Sequence, residues 1–254
     1  MKQKTSILLC LVAVFAALIP LFSSQAKHQL TIVSYNIRHG EGTDGKTDYA
    51  RIARIFTEQE ADVVAVQEVD SVTGRSRGND VLQELAEAAG MHPTFARAIA
   101  FDGGAYGIGI LSKEAPLSVQ RIPLPGREEA RVLVVAEFER FFFGCTHLSL
   151  TPEDQLASLP VIRQAASAMK KPFILAGDWN AVPTEPFIQE IQQDVTLLND
   201  LTQPTWPSDV PETMIDYIGV WKTTGPHIKA THTAVLPDSV SSDHRPVVVK
   251  VEGL

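Results

Sequence analysis

Short apolar runs alternate with helical patterns along this chain. Residues 30–37 predict a first strand, with Ile32-Val33 at its centre, and the β-branched stretch 62–69 a second. Residues 107–111, 132–138 and 141–148 predict further strands, the last two joined by a tight turn at Glu139-Arg140. Residues 173–176 read as a buried strand, and 215–220 and 247–251 as late strands. Thr47 is placed to cap a helix carrying Ile52, Ile55 and Phe56 on one face. Residues 81–89 form a helical pattern stopped by Gly90. Thr151-Pro152-Glu153-Asp154 opens a long helix, with Thr151 as N-cap and Pro152 in the first turn. Residues 185–193 also look helical. Hairpin-joined strands with interspersed helices predict an α+β fold in layers, sheets inside and helices outside.

Composition narrows the class. The chain has 254 residues, 44% of them hydrophobic and 20% charged, which fits one globular domain with a sizeable core. Disorder, collagen and coiled coil are excluded, and two cysteines are too few for a disulfide scaffold. The formal charge of −8 argues against holding nucleic acid by bulk electrostatics. It leaves room for a nuclease whose metal ion neutralises phosphate locally.

The first residues carry a separate signal. Lys2 and Lys4 precede an apolar run from Ile7 to about Phe22, and Ser24-Gln25-Ala26 supplies small residues at the two positions a signal peptidase reads. Residues 1–26 are therefore expected to be a secretory signal peptide, with the mature chain starting at Lys27. Cys10 lies within the apolar run rather than after it, unlike a lipoprotein cysteine. Removing these residues, which hold two lysines and no acidic residue, takes the formal charge from −8 to −10. Cys145 is then the only thiol, and its Phe141-Phe142-Phe143-Gly144 context predicts a buried structural role. No second apolar run is long enough to cross a bilayer.

Polar groups collect where strands should simply stop. The first strand ends at Tyr35-Asn36 and the second at Gln67-Glu68. Two more deliver Thr146-His147 and Gly177-Asp178-Trp179-Asn180. Asp216-Tyr217 and Ser242-Asp243-His244-Arg245-Pro246 follow near the C-terminus. A carboxylate beside a buried strand costs free energy unless it is paired or bound to metal. One such case means little, because strands commonly end in Asp or Asn turns. Glu68, Asp178, Asp216 and Asp243 together, with two Asn and two His, form a constellation. Its ligands are oxygen plus imidazole without thiolate, which suits Mg²⁺ or Mn²⁺ better than zinc.

This ordered set of motifs resembles that of the endonuclease/exonuclease/phosphatase superfamily, over residues 30–251. Tyr35-Asn36-Ile37-Arg38-His39-Gly40 and Tyr106-Gly107-Ile108-Gly109-Ile110-Leu111-Ser112 are similar to a compact bacterial subgroup of metal-dependent hydrolases within it. Each motif alone is weak, whereas the ordered set is specific. The resemblance implies a four-layer α/β/β/α sandwich, two packed β-sheets flanked by helices, in one domain over residues 27–254. It implies that Glu68 is the principal metal carboxylate, with Asn36 and Asp243 as further oxygen ligands. Asp216 and His244 match a dyad in which Asp orients His and favours its cationic form. Asp178 and Asn180 match the pair at the nucleophile and scissile phosphate. His147 matches a histidine that contacts phosphate.

Phosphate ester cleavage puts negative charge on the phosphoryl and leaving oxygens. A divalent ion is a Lewis acid and template for them, and fixed donors from His and Asn stabilise the developing charge. Asp178 and His244 are both candidates for the base that deprotonates water. His39, Arg77 and Tyr106 are candidate substrate contacts, and Arg75 and Arg131 are similar cases. His92, His227 and His232 fall in predicted loops and are expected to be solvated. The expected activity is a secreted, divalent-metal-dependent phosphoesterase acting on a phosphodiester or phosphomonoester. A DNase-like endonuclease ranks second, because the mature chain lacks a basic stripe. A scaffold that only binds ranks last, since every catalytic position is intact. The expected partner is a phosphate-ester substrate: a small molecule, a lipid head group or nucleic acid. A monomer is expected, with no stable protein partner.

Overall fold

The computed structural model describes residues 29–254, so the expected leader and its cleavage site lie outside the described residues. Strands β1 (Leu30–Asn36), β2 (Val63–Ser71), β3 (His92–Phe101), β4 (Gly104–Ser112), β11 (Lys229–Val235) and β12 (Val247–Glu252) form one six-stranded sheet. Its order is β11-β12-β1-β2-β4-β3. Strands β5 (Ser118–Leu124), β6 (Arg131–Glu137), β7 (Phe142–His147), β8 (Phe173–Asp178), β9 (Val195–Leu197) and β10 (Asp216–Trp221) form the second, in the order β5-β6-β7-β8-β10-β9. Each sheet is antiparallel except for one parallel pair near its middle, β1–β2 and β7–β8. The two are the mixed sheets of an α+β sandwich.

Both faces of the central strands are buried, and alternation decides which way each side chain points. Ile32 of β1, Val63 and Ala65 of β2, Cys145 of β7, Ile174 and Ala176 of β8 and Ile218 of β10 fill the core between the sheets. The intervening Val33, Tyr35, Val64 and Val66 face helices α1 (Tyr49–Glu58) and α2 (Val81–Ala89) on the outside of the first sheet. Phe173, Leu175 and Tyr217 likewise face α3 (Pro152–Ser167) and α4 (Pro186–Ile191) outside the second. The result is helix, sheet, sheet, helix, as the motif resemblance implied.

Helix boundaries follow local chemistry. Helix α1 is capped by Asp48, whose carboxylate accepts the Arg51 N–H at 2.9 Å, rather than by the expected Thr47. Aspartate at that position satisfies an otherwise orphaned donor directly. Helix α2 ends at Gly90 in the left-handed conformation, as expected. Thr151 does precede α3, but its hydroxyl turns to Glu128 instead of capping the helix. His92 and His232 belong to strands rather than loops, although both are exposed. Cys145 is fully buried, and desolvation pushes its thiol up to about 12, in keeping with an inert structural residue. Among the described residues, no helix is long and apolar enough to cross a membrane.

Candidate active site

The same alternation that builds the intersheet core also builds the site. Asn36 continues the inward series of Ile32 in β1, His147 that of Cys145 in β7, Asp178 that of Ala176 in β8, and Asp216 that of Ile218 in β10. Asp178 pairs directly with His147 on one side and with Asp216 on the other. These polar groups are thus the end layer of the core, where the sheets open to solvent.

Glu68 has the wrong parity for this layer. Val63, Ala65 and Gln67 point inward along β2, so a regular strand would turn Glu68 towards the helices. Instead the β2–β4 register shifts between Val66 and Val69, and Glu68 takes a φ of +57°. A bulge with a left-handed residue re-aims one side chain, here into the cleft that Glu68 lines. Such a conformation costs about 1–3 kcal/mol for a non-glycine residue. Gly177, beside Asp178, is constrained differently. It has a φ of +150°, and a Cβ there would collide with the Thr146 carbonyl oxygen. Only glycine fits where β7 and β8 approach at the site.

The polar groups lock together. Asn36 Nδ2 lies 3.1 Å from Glu68 Oε1, 3.1 Å from Asp178 Oδ2 and 3.4 Å from His244 Nε2. Its Oδ1 accepts the Arg38 N–H at 3.1 Å. As oriented, Asn36 offers its amide nitrogen, rather than an oxygen, to the centre of the site. His244 Nδ1 donates to Asp216 Oδ2 at 2.9 Å, and the Thr205 hydroxyl donates to that same oxygen. The Ser242 hydroxyl donates to the Asn36 carbonyl at 2.8 Å, tying the loop that carries Asp243 and His244 to the end of β1. Asp178 Oδ1 accepts the Asn180 N–H at 2.9 Å, while Asn180 Nδ2 donates to the Leu148 carbonyl at 3.0 Å. Asp178 Oδ2 also lies 3.4 Å from His147 Nε2 and 3.7 Å from His244 Nε2.

Electrostatics set the two histidines apart. Burial alone would lower the His244 pKa, but the Asp216, Asp178 and Asp243 carboxylates overcome it and raise the imidazole to about 10. His147 is pushed down to about 4 by burial, which outweighs the attraction of Asp178. His244 is therefore a cation at neutral pH and His147 a neutral donor. The Glu68 carboxyl is raised, first by burial and then by Asp243 and Asp178, while Asn36 and His244 oppose the rise.

These groups line a cleft of about 440 Å³ that also includes Tyr106, Glu129, Arg131, Asn180, Trp206 and Asp243. Of the expected substrate contacts, Tyr106 is there. His39 and Arg77 are not among the residues lining it. His39 sits half-buried in a 3-10 turn, its Nε2 3.8 Å from Glu41. Arg77 is an exposed loop residue. Arg75 is held by Asp70 at 2.7 and 2.8 Å and lies over the Phe101 and Tyr106 rings. Glu129, Leu150, Val182, Trp206, Thr213 and Ile215 also line the cleft, and none of them was singled out from the sequence as a substrate contact. Trp179 and Tyr217, though within motifs, pack behind the site, with stacked rings 4.8 Å apart.

The donor set fits a divalent cation. Glu68 and Asp243 bring negative charge to one cleft, and Asp178, Asp216 and His244 place a ligand atom each within 4.8 Å of one another. Asp216 Oδ1 is buried without a hydrogen-bond partner.

Residues 33–244 match the model of the endonuclease/exonuclease/phosphatase family. The chain belongs to that family. Its members are phosphoric ester hydrolases that generally use divalent metals, and this protein is a hydrolase of that family. No curated protein matches the chain significantly. Among solved structures, it is similar to an endonuclease/exonuclease/phosphatase from Beutenbergia cavernae, with a TM-score of 0.71 and 23% identity over 88% of this chain and 71% of the other. A mannosyl-6-phosphatase from Bacteroides thetaiotaomicron has a TM-score of 0.70 and 18% identity, covering 88% and 100%. The catalytic domain of human nocturnin, solved with bound sulfate, gives 0.67 and 17%, covering 88% and 94%. At these identities the likeness is one of fold.

Proposed function

We propose that this family member is an exported phosphoesterase that uses Mg²⁺ or Mn²⁺ and acts on a small or lipid-derived phosphate ester. The observation that carries the reading is the convergence of Glu68, His147, Asp178, Asp243 and His244 in one cleft, with Asn36 and Asp216 bonded behind them. Glu68 and Asp243 would hold the ion, and Asn36, whose amide nitrogen bonds Glu68 Oε1 and Asp178 Oδ2, would orient those carboxylates. When bound, it supplies Lewis-acid polarisation and neutralises phosphate charge.

The chain's own groups divide the rest of the work. His244, held as a cation by Asp216, donates to a phosphoryl oxygen and stabilises the charge that develops there. A cationic imidazole cannot accept a proton, so Asp178 is left as the base that orients and deprotonates water. Its Oδ2 faces both imidazoles and Asn36, which favours that role. His147 gives a neutral hydrogen bond to phosphate, and Asn180 helps to bind it.

The test is a hydrolysis screen of the purified protein with Mg²⁺ or Mn²⁺ over bis-p-nitrophenyl phosphate, p-nitrophenyl phosphate, plasmid DNA and sphingomyelin. Cleavage of an ester that stops in EDTA and returns on adding metal is expected. Full activity after exhaustive chelation would overturn the metal role, and inactivity towards every ester would overturn the reading. Export predicts that the secreted protein begins at Lys27. An intact mass that includes Met1 would count against it.

A further inference from the structure

Beyond the last pairing of β7 with β8, His147 opposite Asp178, the two segments stay joined by other bonds. The Leu148 N–H donates to the Asp178 carbonyl at 3.0 Å, and Asn180 Nδ2 donates to the Leu148 carbonyl at 3.0 Å. One side chain from outside both segments ties them together. Gln155 Nε2 lies 2.8 Å from the Ser149 carbonyl oxygen and 2.8 Å from the Asn180 carbonyl oxygen. An amide nitrogen carries two hydrogens, so one group serves both acceptors, and two carbonyl partners fix which end of the amide faces them.

Glutamine is unexpected at this position. The buried stripe of α3 is Gln155, Ser158, Leu159, Ile162 and Ala166, the spacing of a helix face turned to the core. Gln155 heads that stripe and is 1% exposed, where an apolar side chain is the usual choice. Burying a side-chain amide costs free energy unless its hydrogen bonds are met. Here main-chain groups of two loops meet them, and both loops belong to the site. Ser149 lies two residues beyond His147, and Asn180 two beyond Asp178.

The bond to Asn180 bears on the chemistry. Asn180 has a φ of +49°, a left-handed conformation that asparagine tolerates without preferring it. Its N–H is held by Asp178 Oδ1 at 2.9 Å and its carbonyl by Gln155, so the peptide groups on both sides of its Cα are anchored. That fixes the direction of its side chain. One Nδ2 hydrogen goes to Leu148, and the other is left for the cleft that Asn180 lines. Gln155 itself is not among the residues lining that cleft, so whatever it does for the reaction passes through the loops it holds.

We infer that Gln155 is a positioning residue for phosphate-ester hydrolysis: it clamps the loops after β7 and β8 together and holds Asn180 in the conformation that aims its amide at the phosphate. The inference rests on the phosphoesterase reading above. It adds a residue on a flanking helix, outside every strand-end motif, whose contribution to turnover depends on Asn180.

The experiment is a double-variant cycle in the metal-supplemented protein, on whichever ester of the screen the wild type hydrolyses. It measures kcat per folded molecule, the melting temperature and the metal-induced thermal shift for wild type, Gln155→Met, Asn180→Ala and the pair. Gln155→Met keeps the length of the side chain without its donors. It should lower kcat about 10- to 100-fold, the scale of a misplacement of the order of 1 Å, with the metal-induced shift retained. Asn180→Ala should cost about 100-fold or more, as loss of a fixed donor does. The pair should fall within about threefold of Asn180→Ala alone, because residues acting as a unit do not add. A lower melting temperature with kcat near the wild-type value would make Gln155 a structural residue. Losses that multiply in the pair, or a lost metal response in Gln155→Met, would also overturn the inference. Should Gln155→Met not fold, Gln155→Glu takes its place, since it keeps the volume and, ionised, has no hydrogen to give. If neither folds, the inference falls and the phosphoesterase reading stands on the wild type. Inactivity of the wild type towards every ester would overturn both.

Discussion

Glu68→Gln is expected to abolish metal-dependent activity while leaving the metal-free protein as stable as the wild type, or more stable. In the metal-free cleft, burial raises the Glu68 carboxyl, and Asp243 and Asp178 add to the rise. A carboxyl raised on folding binds its proton more tightly in the folded state. It therefore costs stability increasingly as pH rises through and above the ordinary carboxylate range. Glutamine removes that cost, keeps the shape, and retains an oxygen to accept from Asn36. The metal response should go the other way. A ligand at a hundredfold its Kd stabilises by about 2.7 kcal/mol, roughly 5–10 °C in a domain of this length. Wild type should gain that much with Mn²⁺, and Glu68→Gln should gain little at the same concentration. The loss in kcat/KM should be at least about 100-fold, since even groups beyond the direct ligands cost 10–100-fold. Thermal scans with and without metal, beside kinetics, check both halves. A lower metal-free melting temperature with an intact metal response would make Glu68 a structural residue of the bulge.

The parity of Glu68 also marks a limit of what the sequence makes legible. Asn36, His147, Asp178 and Asp216 follow the inward alternation of their strands, so periodicity alone aims them at one another. Glu68 breaks that alternation, and nothing in Gln67-Glu68-Val69 announces a bulge. Its place in the site was legible from its position at a predicted strand end and from the ordered motifs, not from the alternation. The eight central strands were legible because burial on both faces writes continuous apolar runs. The unanticipated strands are β3, β5, β9 and β11, the four edges of the two sheets. Edge strands need bury little, and proteins keep them polar or interrupted by proline to discourage pairing with other chains. Pro93 opens β3, Pro123 lies in β5, β9 has three residues, and β11 is exposed over Lys229-Ala230-Thr231-His232. The rest of the cleft lining was harder still. Glu129 comes from the loop before β6 and Trp206 from the loop before β10, and only the folded sheets bring them to one cleft.

The dyad carries the second large effect. Asp216→Asn and His244→Ala are each expected to lower kcat by about 10³-fold or more, and the double variant to be little worse than the worse single. Residues that act as a unit show such non-additivity. Asp216 has one oxygen engaged by both His244 Nδ1 and Thr205, so its charge and its orientation serve the imidazole together. The pH dependence separates this from a structural role. With the His244 pKa at about 10 and an unfolded value of about 6.5, its ion pair stabilises the fold fully below about pH 6.5. That contribution is lost as pH rises towards 10. The alkaline limb of kcat should likewise sit near pH 10 in the wild type. In Asp216→Asn the asparagine supplies no charge, so both the stability loss and the residual alkaline limb should move towards neutral pH. Metal affinity, read from metal-induced thermal shifts, should fall less in either single variant than in Glu68→Gln, since neither residue is assigned as the main ligand. If Asp216 only braces the start of β10, Asp216→Asn would melt at a lower temperature while its folded fraction turns over near the wild-type rate with an unmoved limb. Additive losses in log kcat would count against a coupled dyad even if both singles were crippled.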